Sequence, residues 1–434
     1  MIYSREWETM LREDLEQLQV ERLQMTLNQV YRNVSFLRNL YDKNGVETSE
    51  IKSLTDLSKL PLTSKDNLRD SYPYEAFAVP LRDIVRIHST SGTTGNPIVV
   101  GYTKNDLNIW SSLVGRVLSA VGIDGQDLVQ IAFSYSQSSA GLGFHYGAEK
   151  IGASVIPASG EEVLKQIQIM KDYRTSVLIS TPGYALHIAS VLEEHGMDPQ
   201  ELNLNIGLFG AEPWSEKLRG EIESRLKIKA YDNYGLSEII GPGVAYECEH
   251  RKGMHINEDH FIVEVIDPET LQVLPEGEKG ELVFTTITKQ AFPLIRYRTG
   301  DISRIIPDTC ECGRTFRRIE RVSGRIDDMI IIDGNNIFPS QIEALLFELE
   351  GVEPHFQIIL KRDDGLDIIE LRVEVSRDFL AFDEIRRVEA FKARINQQLK
   401  TRLGLHAKIT LTEPMALGRT SGEKVKRVVD LREA

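Results

Sequence analysis

A chain of 434 residues is longer than a single hydrophobic core usually supports, which predicts two or three domains. Hydrophobic residues at 41% and charged residues at 27% are the mix of a water-soluble globular protein. A formal charge of 51 − 65 = −14 excludes any global attraction to nucleic acid or an anionic membrane, so an anionic ligand must be met by local cations and backbone donors.

Met1 to Glu13 mix both charge signs without an apolar stretch, so no secretory leader is expected there, and no apolar run reaches the length of a membrane span. Three cysteines predict a reduced, cytoplasmic setting without a disulfide framework. Apolar residues recur at helical spacing from Trp7 to Leu37, predicting one or two amphipathic helices, and Thr63 or Ser64 is placed to cap another. Ile84–Ile87 and Ile98–Tyr102 read as strands. Between them lies Ser89-Thr90-Ser91-Gly92-Thr93-Thr94-Gly95-Asn96-Pro97, too long for a tight hairpin and rich in hydroxyls and glycine. Such a loop suits phosphate, because glycines let backbone N–H groups close on an anion and hydroxyls add donors without bulk.

A helix is predicted over 104–121, and then strands at 128–133, 153–157, 176–180 and 206–210 alternate with helices at 161–171 and 183–195. That alternation predicts a mainly parallel α/β sheet with ligands at the strands' carboxyl ends. Gly141-Leu142-Gly143 is read as helix packing. From about residue 250 the pattern becomes antiparallel, as in a small β-barrel-like subdomain over 250–325. Beyond Gly324, a βαββαβ order predicts a small ferredoxin-like α+β domain.

Five separated motifs carry the chemistry: the Ser89–Pro97 loop, Tyr234-Gly235-Leu236-Ser237-Glu238, Tyr297-Arg298-Thr299-Gly300-Asp301, Gly324-Arg325-Ile326-Asp327-Asp328 and Gly418-Arg419-Thr420-Ser421-Gly422-Glu423-Lys424. Singly, each has an ordinary structural reading. In this order they resemble the adenylate-forming ligases: acyl-CoA synthetases, adenylation domains and luciferases. Phe144–Lys150, Phe209–Trp214, Gly241–Ala245 and Asn336–Glu343 look like the phenylacetate–CoA ligase family within it.

The resemblance implies an adenylation domain over residues 1–325, a mobile C-terminal domain over 326–434, and a hinge at Asp327. It implies ATP, Mg²⁺ and coenzyme A acting on a small carboxylic acid, aryl or arylacetic, which becomes an acyl-adenylate and then a thioester. Ser89, Thr90, Ser91, Gly92, Thr93, Thr94 and Gly95 would surround the β/γ-phosphates. Gly210, Ala211, Glu212, Asp232, Asn233, Tyr234 and Gly235 would border the adenine, Glu238 would hold Mg²⁺, Asp301 the ribose hydroxyls, and Arg325 ribose or phosphate. Lys424 would bridge the substrate carboxylate and ATP, with Lys426 as the fallback because one extra residue precedes it. Tyr135, Gln137, Ser138, Ala140 and Gly141 would wall the acyl pocket, and the polarity of this segment at Gln137, Ser138 and Ser139 favours a ring bearing a hydroxyl or amino group. Asn96 stands where relatives often carry a lysine, and Asp333 where close relatives have an arginine. The same resemblance admits a non-CoA acceptor, such as a carrier-protein thiol or a hydroxyl, or a nucleotide sensor without turnover. A homodimer is compatible with it.

Independently, Cys248, His255, Cys310 and Cys312 form a Cys₃His set suited to a structural Zn²⁺, with His250 as an alternative fourth ligand. Arg314, Arg317, Arg318, Arg321 and Arg325 form a basic run that either grips phosphates or, for the first four, makes a salt-bridged face.

Overall fold

The computed structural model describes residues 1–90, 96–135, 139–160, 162–326, 330–332, 335–349, 351–363, 366–376, 379, 385–413, 416–417 and 427–432. Its centre is a nine-stranded sheet. Five strands run parallel, in the spatial order Ser154–Ile156, Leu128–Ile131, Val177–Ser180, Ile206–Gly210 and Lys229–Leu236. Their side chains alternate between two apolar layers. Leu178, Phe209 and Ala230 face one, with Ile167, Leu186 and Leu218 of helices Val163–Tyr173, Pro182–Glu194 and Glu216–Leu226. Val177, Ile179, Leu208 and Tyr231 face the other, with Val114 and Phe144 of helices Lys104–Ala120 and Ala140–Lys150. A sheet covered on both faces needs strands apolar on both sides, which is why Val177–Ile179 and Ile206–Gly210 read as plain apolar runs. A Cβ on Gly143 would lie 2.5 Å from the Trp110 ring and 2.7 Å from Pro242, so this glycine is a close-packing residue.

The remaining four strands of the sheet, Gly241–Glu247, Met254–Ile256, Arg318–Ile319 and Ile305–Ile306, continue it antiparallel. This corrects the expected grouping of 250–325 into one β subdomain. Only Phe261–Ile266, Gly280–Thr286, Tyr297–Ser303 and Gly324–Arg325 form the separate four-stranded antiparallel sheet. Alternation alone cannot say which sheet a strand joins, because both sheets offer it the same buried face.

Helix starts follow local chemistry. Ser64 caps Lys65–Asp70 by accepting from Asn67 N, whereas the Thr63 hydroxyl donates to Ile295 O at 2.7 Å. Thr103 and Asp106 form a reciprocal capping box on Lys104–Ala120. The expected helix 161–171 runs Val163–Tyr173.

At the chain's start, the fully buried Glu8 accepts from Ser4 N at 2.7 Å and from Arg314 Nε at 2.6 Å, while Arg314 also donates to Met1 O at 2.5 Å. Removing one partner of a buried pair strands the other charge. Arg314→Ala is therefore expected to cost about 3–5 kcal/mol of stability, seen as a lowered urea midpoint. A loss below about 1 kcal/mol would place the pair among weak surface bridges.

The C-terminal unit holds a hairpin of Ile330–Ile332 with Asn335–Ile337, helix Pro339–Phe347, and a sheet ordered Lys408–Thr412, Leu366–Val375, Val352–Asp363, Val428–Asp430. Helix Ile385–Leu403 packs Ile395 and Leu399 into the same apolar cluster as that sheet. The unit is α+β, as expected. Its fourth strand is Val428–Asp430, parallel to Val352–Asp363, and not the segment ending at Ile332. Two residues separate Ile332 from Asn335, a hairpin spacing, so that segment pairs locally. Among the described residues no helix is long and apolar enough to cross a membrane.

Candidate active site

Strands Arg86–Ser89 and Val99–Tyr102 pair antiparallel, with Ser89 opposite Val99. The base of the loop between them is clamped: Thr90 N donates to Ile98 O at 3.0 Å, and Ile98 N donates to Thr90 Oγ1 at 3.1 Å. Ser91, Gly92, Thr93, Thr94 and Gly95 lie outside the described residues, as do Gln137, Ser138, Asp327, Lys424 and Lys426.

At the carboxyl ends of the parallel strands, Gly210 closes Ile206–Gly210, and a Cβ there would meet Asn233 O at 2.6 Å. Ala211 follows in the left-handed region at φ 68°, a strained turn for a side-chain-bearing residue that exposes the strand end. The Glu212 carboxylate accepts from Gly183 N at 2.8 Å at the start of helix Pro182–Glu194. Asp232, Asn233, Tyr234 and Gly235 lie on the adjacent strand, and Asn233 Nδ2 donates to Phe209 O at 2.7 Å. Burial pushes the Asp232 carboxyl up to about 6, against the pull of Arg321 at 2.9 Å.

Tyr234 spans two sheets. Its hydroxyl donates to Asp301 Oδ2 at 2.7 Å, and Asp301 Oδ1 pairs with Arg325 Nη1 at 3.0 Å. Asp301 and Arg325 sit opposite one another on paired strands, so the sheet register brings them together. Burial, then the Asp301 carboxylate, holds the Tyr234 phenol well above its usual range and therefore protonated. Glu238 follows the Tyr234 strand in a turn. It is 7% exposed, and its carboxylate has no hydrogen-bond or ion-pair partner among the described residues. Its oxygens are free to accept a hard cation, so this donor fits Mg²⁺.

Sequence reasoning missed Lys289. It is buried, with its ammonium donating to Glu238 O at 3.1 Å and Ile239 O at 2.7 Å, and lying 4.9 Å from the Tyr102 ring centroid. Burial pulls it down to about 7, although Asp106 and Glu238 act the other way. It also missed a chain from the expected acyl wall: Tyr135 Oη lies 3.2 Å from His145 Nδ1, and His145 Nε2 lies 3.2 Å from Glu149. Ala140 and Gly141 open the helix that carries His145. Ser139, next to this wall, places its hydroxyl 2.8 Å from that of Ser237, so it is already partnered. That removes one support for a polar acyl pocket.

The basic run is structural in its first four members. Arg314 binds Glu8, Arg317 binds Glu276 at 3.2 Å, Arg318 donates to Asp308 O, and Arg321 binds Asp232 and lies over Trp214. Only Arg325 reaches the Tyr234–Asp301 cluster.

Away from these residues, the ligand atoms of Cys248, His255, Cys310 and Cys312 all lie within 4.8 Å of one another. The Cys248 and Cys310 sulfurs are 3.7 Å apart, and Cys312 Sγ lies 3.3 Å from His255 Nε2. The other His255 nitrogen, Nδ1, lies 3.2 Å from Phe316 O, the usual second bond of a metal-bound imidazole. His250 instead faces Glu311 at 3.6 Å and is not in the cluster.

Residues 16–288 match the AMP-binding enzyme family model, and residues 334–432 match that of the AMP-binding enzyme C-terminal domain. The chain belongs to the AMP-binding, adenylate-forming enzyme family. It is 44% identical to the phenylacetate-coenzyme A ligase of Thermus thermophilus, over 100% of both chains. Identity is also 44% to the phenylacetate-coenzyme A ligase of Escherichia coli K12, over 98% of this chain and 97% of the relative. Among solved structures, 2-hydroxyisobutyryl-CoA ligase in its postadenylation state superposes with a TM-score of 0.91 at 29% identity, covering 99% of this chain and 92% of that one. The same ligase in its thioesterification state gives 0.72 over the same coverage. At equal coverage, the difference shows that this family member is arranged more like the former.

Proposed function

We propose that the protein is an ATP-dependent arylacetate–CoA ligase of the phenylacetate type, working through an acyl-adenylate and releasing AMP and pyrophosphate. The observation that carries this reading is the Tyr234–Asp301–Arg325 cluster, its tyrosine and aspartate buried, one turn from the Glu238 carboxylate. The 44% full-length identity to CoA ligases supports CoA as the acceptor over a carrier-protein thiol.

A carboxylate is a poor electrophile, so it is first activated at the α-phosphorus of ATP, which brings an anion to a polyanion. The Ser89–Gly95 loop would grip the β/γ-phosphates, Asp301 would accept the ribose hydroxyls, and the edge at Gly210–Glu212 would border the adenine. Mg²⁺ held by Glu238 would offset phosphate charge. Tyr135, Ala140 and Gly141 would border the acyl group. With the Ser139 hydroxyl already bonded to Ser237, hydroxylated or aminated arylacetates would draw their expected advantage from Gln137 and Ser138. Acid-dependent exchange of labelled pyrophosphate into ATP, measured without CoA across arylacetates and benzoates, tests the reading. Arylacetates should support it best, and exchange that depends on no acid would reject it.

The Cys₃His cluster supports a structural Zn²⁺. Tetrahedral ligands at Zn–S bonds of about 2.3 Å stand about 3.8 Å apart, close to the observed Cys248–Cys310 spacing of 3.7 Å. Four protein ligands leave no open position, so zinc would clip Cys248 and the Met254–Ile256 strand to the segment at 310–312, beside the Arg314–Glu8 pair. Chelator-free protein is expected to carry about one zinc per chain, with His255→Ala losing the metal and lowering the melting temperature. Well under one zinc per chain would reject the site.

A further inference from the structure

We infer that Lys289, seconded by Tyr102, is the positioning residue that orients the Glu238 carboxylate for Mg²⁺. The inference rests on Glu238 as the Mg²⁺ ligand.

Four consecutive carbonyls of the Glu238 turn accept hydrogen bonds from only two side chains. Lys289 Nζ takes Glu238 O at 3.1 Å and Ile239 O at 2.7 Å, and Tyr102 Oη takes Ser237 O at 3.4 Å and Ile240 O at 3.1 Å. The two donors also touch each other: the ammonium lies 4.9 Å from the Tyr102 ring centroid and 5.2 Å from that of Phe292, where ring faces favour a cation. The two carbonyls aimed at the ammonium form a rigid claw, because rotating either away leaves a buried charge short of an acceptor, and the single Tyr102 O–H, nearer Ile240 O, pins the flanks of the turn. The turn's conformation, and with it the direction of the Glu238 side chain, is thereby held.

Lys289 is itself held. Asp106, in the first turn of helix Lys104–Ala120, accepts from Gln290 N at 2.7 Å and Ala291 N at 3.0 Å, and Thr103 Oγ1 lies 3.1 Å from Gln290 Oε1. Tyr102 closes the Val99–Tyr102 strand that leaves the phosphate loop, pairing with Arg86 on the strand that enters it. The same two residues thus tie the metal carboxylate to the frame of the loop.

The test compares Lys289→Met, Tyr102→Phe and Glu238→Gln with the unaltered enzyme. Mn²⁺ is titrated by electron paramagnetic resonance into enzyme with ATP, and the two half-reactions are assayed separately. Lys289→Met should weaken Mn²⁺ binding and raise the half-saturating Mg²⁺ for adenylation by about tenfold or more, the scale of one charge-assisted bond. Tyr102→Phe should move both in the same direction by less, and thioester formation from supplied acyl-adenylate should stay within about twofold. Unchanged Mn²⁺ binding in Lys289→Met, with weakened binding in Glu238→Gln, overturns the inference and leaves the Glu238 reading standing. Unchanged binding in both rejects the Glu238 reading as well. Equal losses in both half-reactions, alongside a lowered melting temperature, reduce Lys289 to a structural residue. If Lys289→Met does not fold, Tyr102→Phe decides by the same measurements.

Discussion

Lys424→Ala is expected to lose acyl-adenylate formation by about 10²–10³-fold or more, the effect of removing one preorganised charge from a developing anionic centre. The same variant should still convert supplied acyl-adenylate and CoA to thioester. The first step forces a carboxylate against a triphosphate in a chain whose formal charge is −14. Asn96 stands where the family's phosphate loop often has a lysine, so less local cation is available and more rests on Lys424. The second step needs a nucleophilic thiol at the acyl carbon, where a lysine bridging carboxylate and phosphate has no task. A family member solved in a postadenylation and a thioesterification state, matching this chain at 0.91 and 0.72, is compatible with a C-terminal unit that would bring Lys424 in for one step and out for the other. Equal, mild losses in both half-reactions would mark Lys424 as a solvated lysine and remove domain alternation with it.

For Asp301→Ala, kcat/KM for ATP should fall by about 10²–10³-fold, with the loss mainly in KM. The substitution deletes the acceptor of the Tyr234 hydroxyl and the partner of Arg325 together, so a buried phenol and a guanidinium lose their counterpart at the proposed nucleotide site. Asp301→Asn keeps an acceptor for Tyr234 but not the charge, and should fall between. Steady-state kinetics with ATP varied, set beside a thermal melt, separates binding from folding. An unchanged KM for ATP would leave Asp301 a purely structural partner of Tyr234.

Much of this site was legible because its chemistry restricts residue type. Three thiols and an imidazole gather at Cys248, His255, Cys310 and Cys312 although 64 positions separate the first from the last, and metal preference alone singled them out. The strand Ile206–Gly210 was predicted to the residue, since a strand buried on both faces leaves a plain apolar run. The division of the antiparallel strands between two sheets was not, because sheet membership depends on register between distant segments. Lys289 carries no motif: it sits in Thr288-Lys289-Gln290, and only the fold brings it under the Glu238 turn, 51 positions earlier. A signal was nevertheless present, a lone cation entering the apolar stretch Ala291-Phe292-Pro293-Leu294, where a lysine is seldom buried without carbonyls to receive it. The strand Val428–Asp430 was missed for the opposite reason. Two valines after a basic stretch are too short to show a period.

The most direct measurement supplies phenylacetate labelled with ¹⁸O in both carboxylate oxygens, together with ATP, Mg²⁺ and CoA, and reads the products by mass spectrometry. Attack of the carboxylate on the α-phosphorus, followed by thiol displacement at the acyl carbon, leaves one labelled oxygen in AMP and one in the thioester carbonyl, with none in pyrophosphate. That is the predicted result. Label in inorganic phosphate with ADP as co-product, or thioester formed with unlabelled AMP, would contradict an acyl-adenylate route.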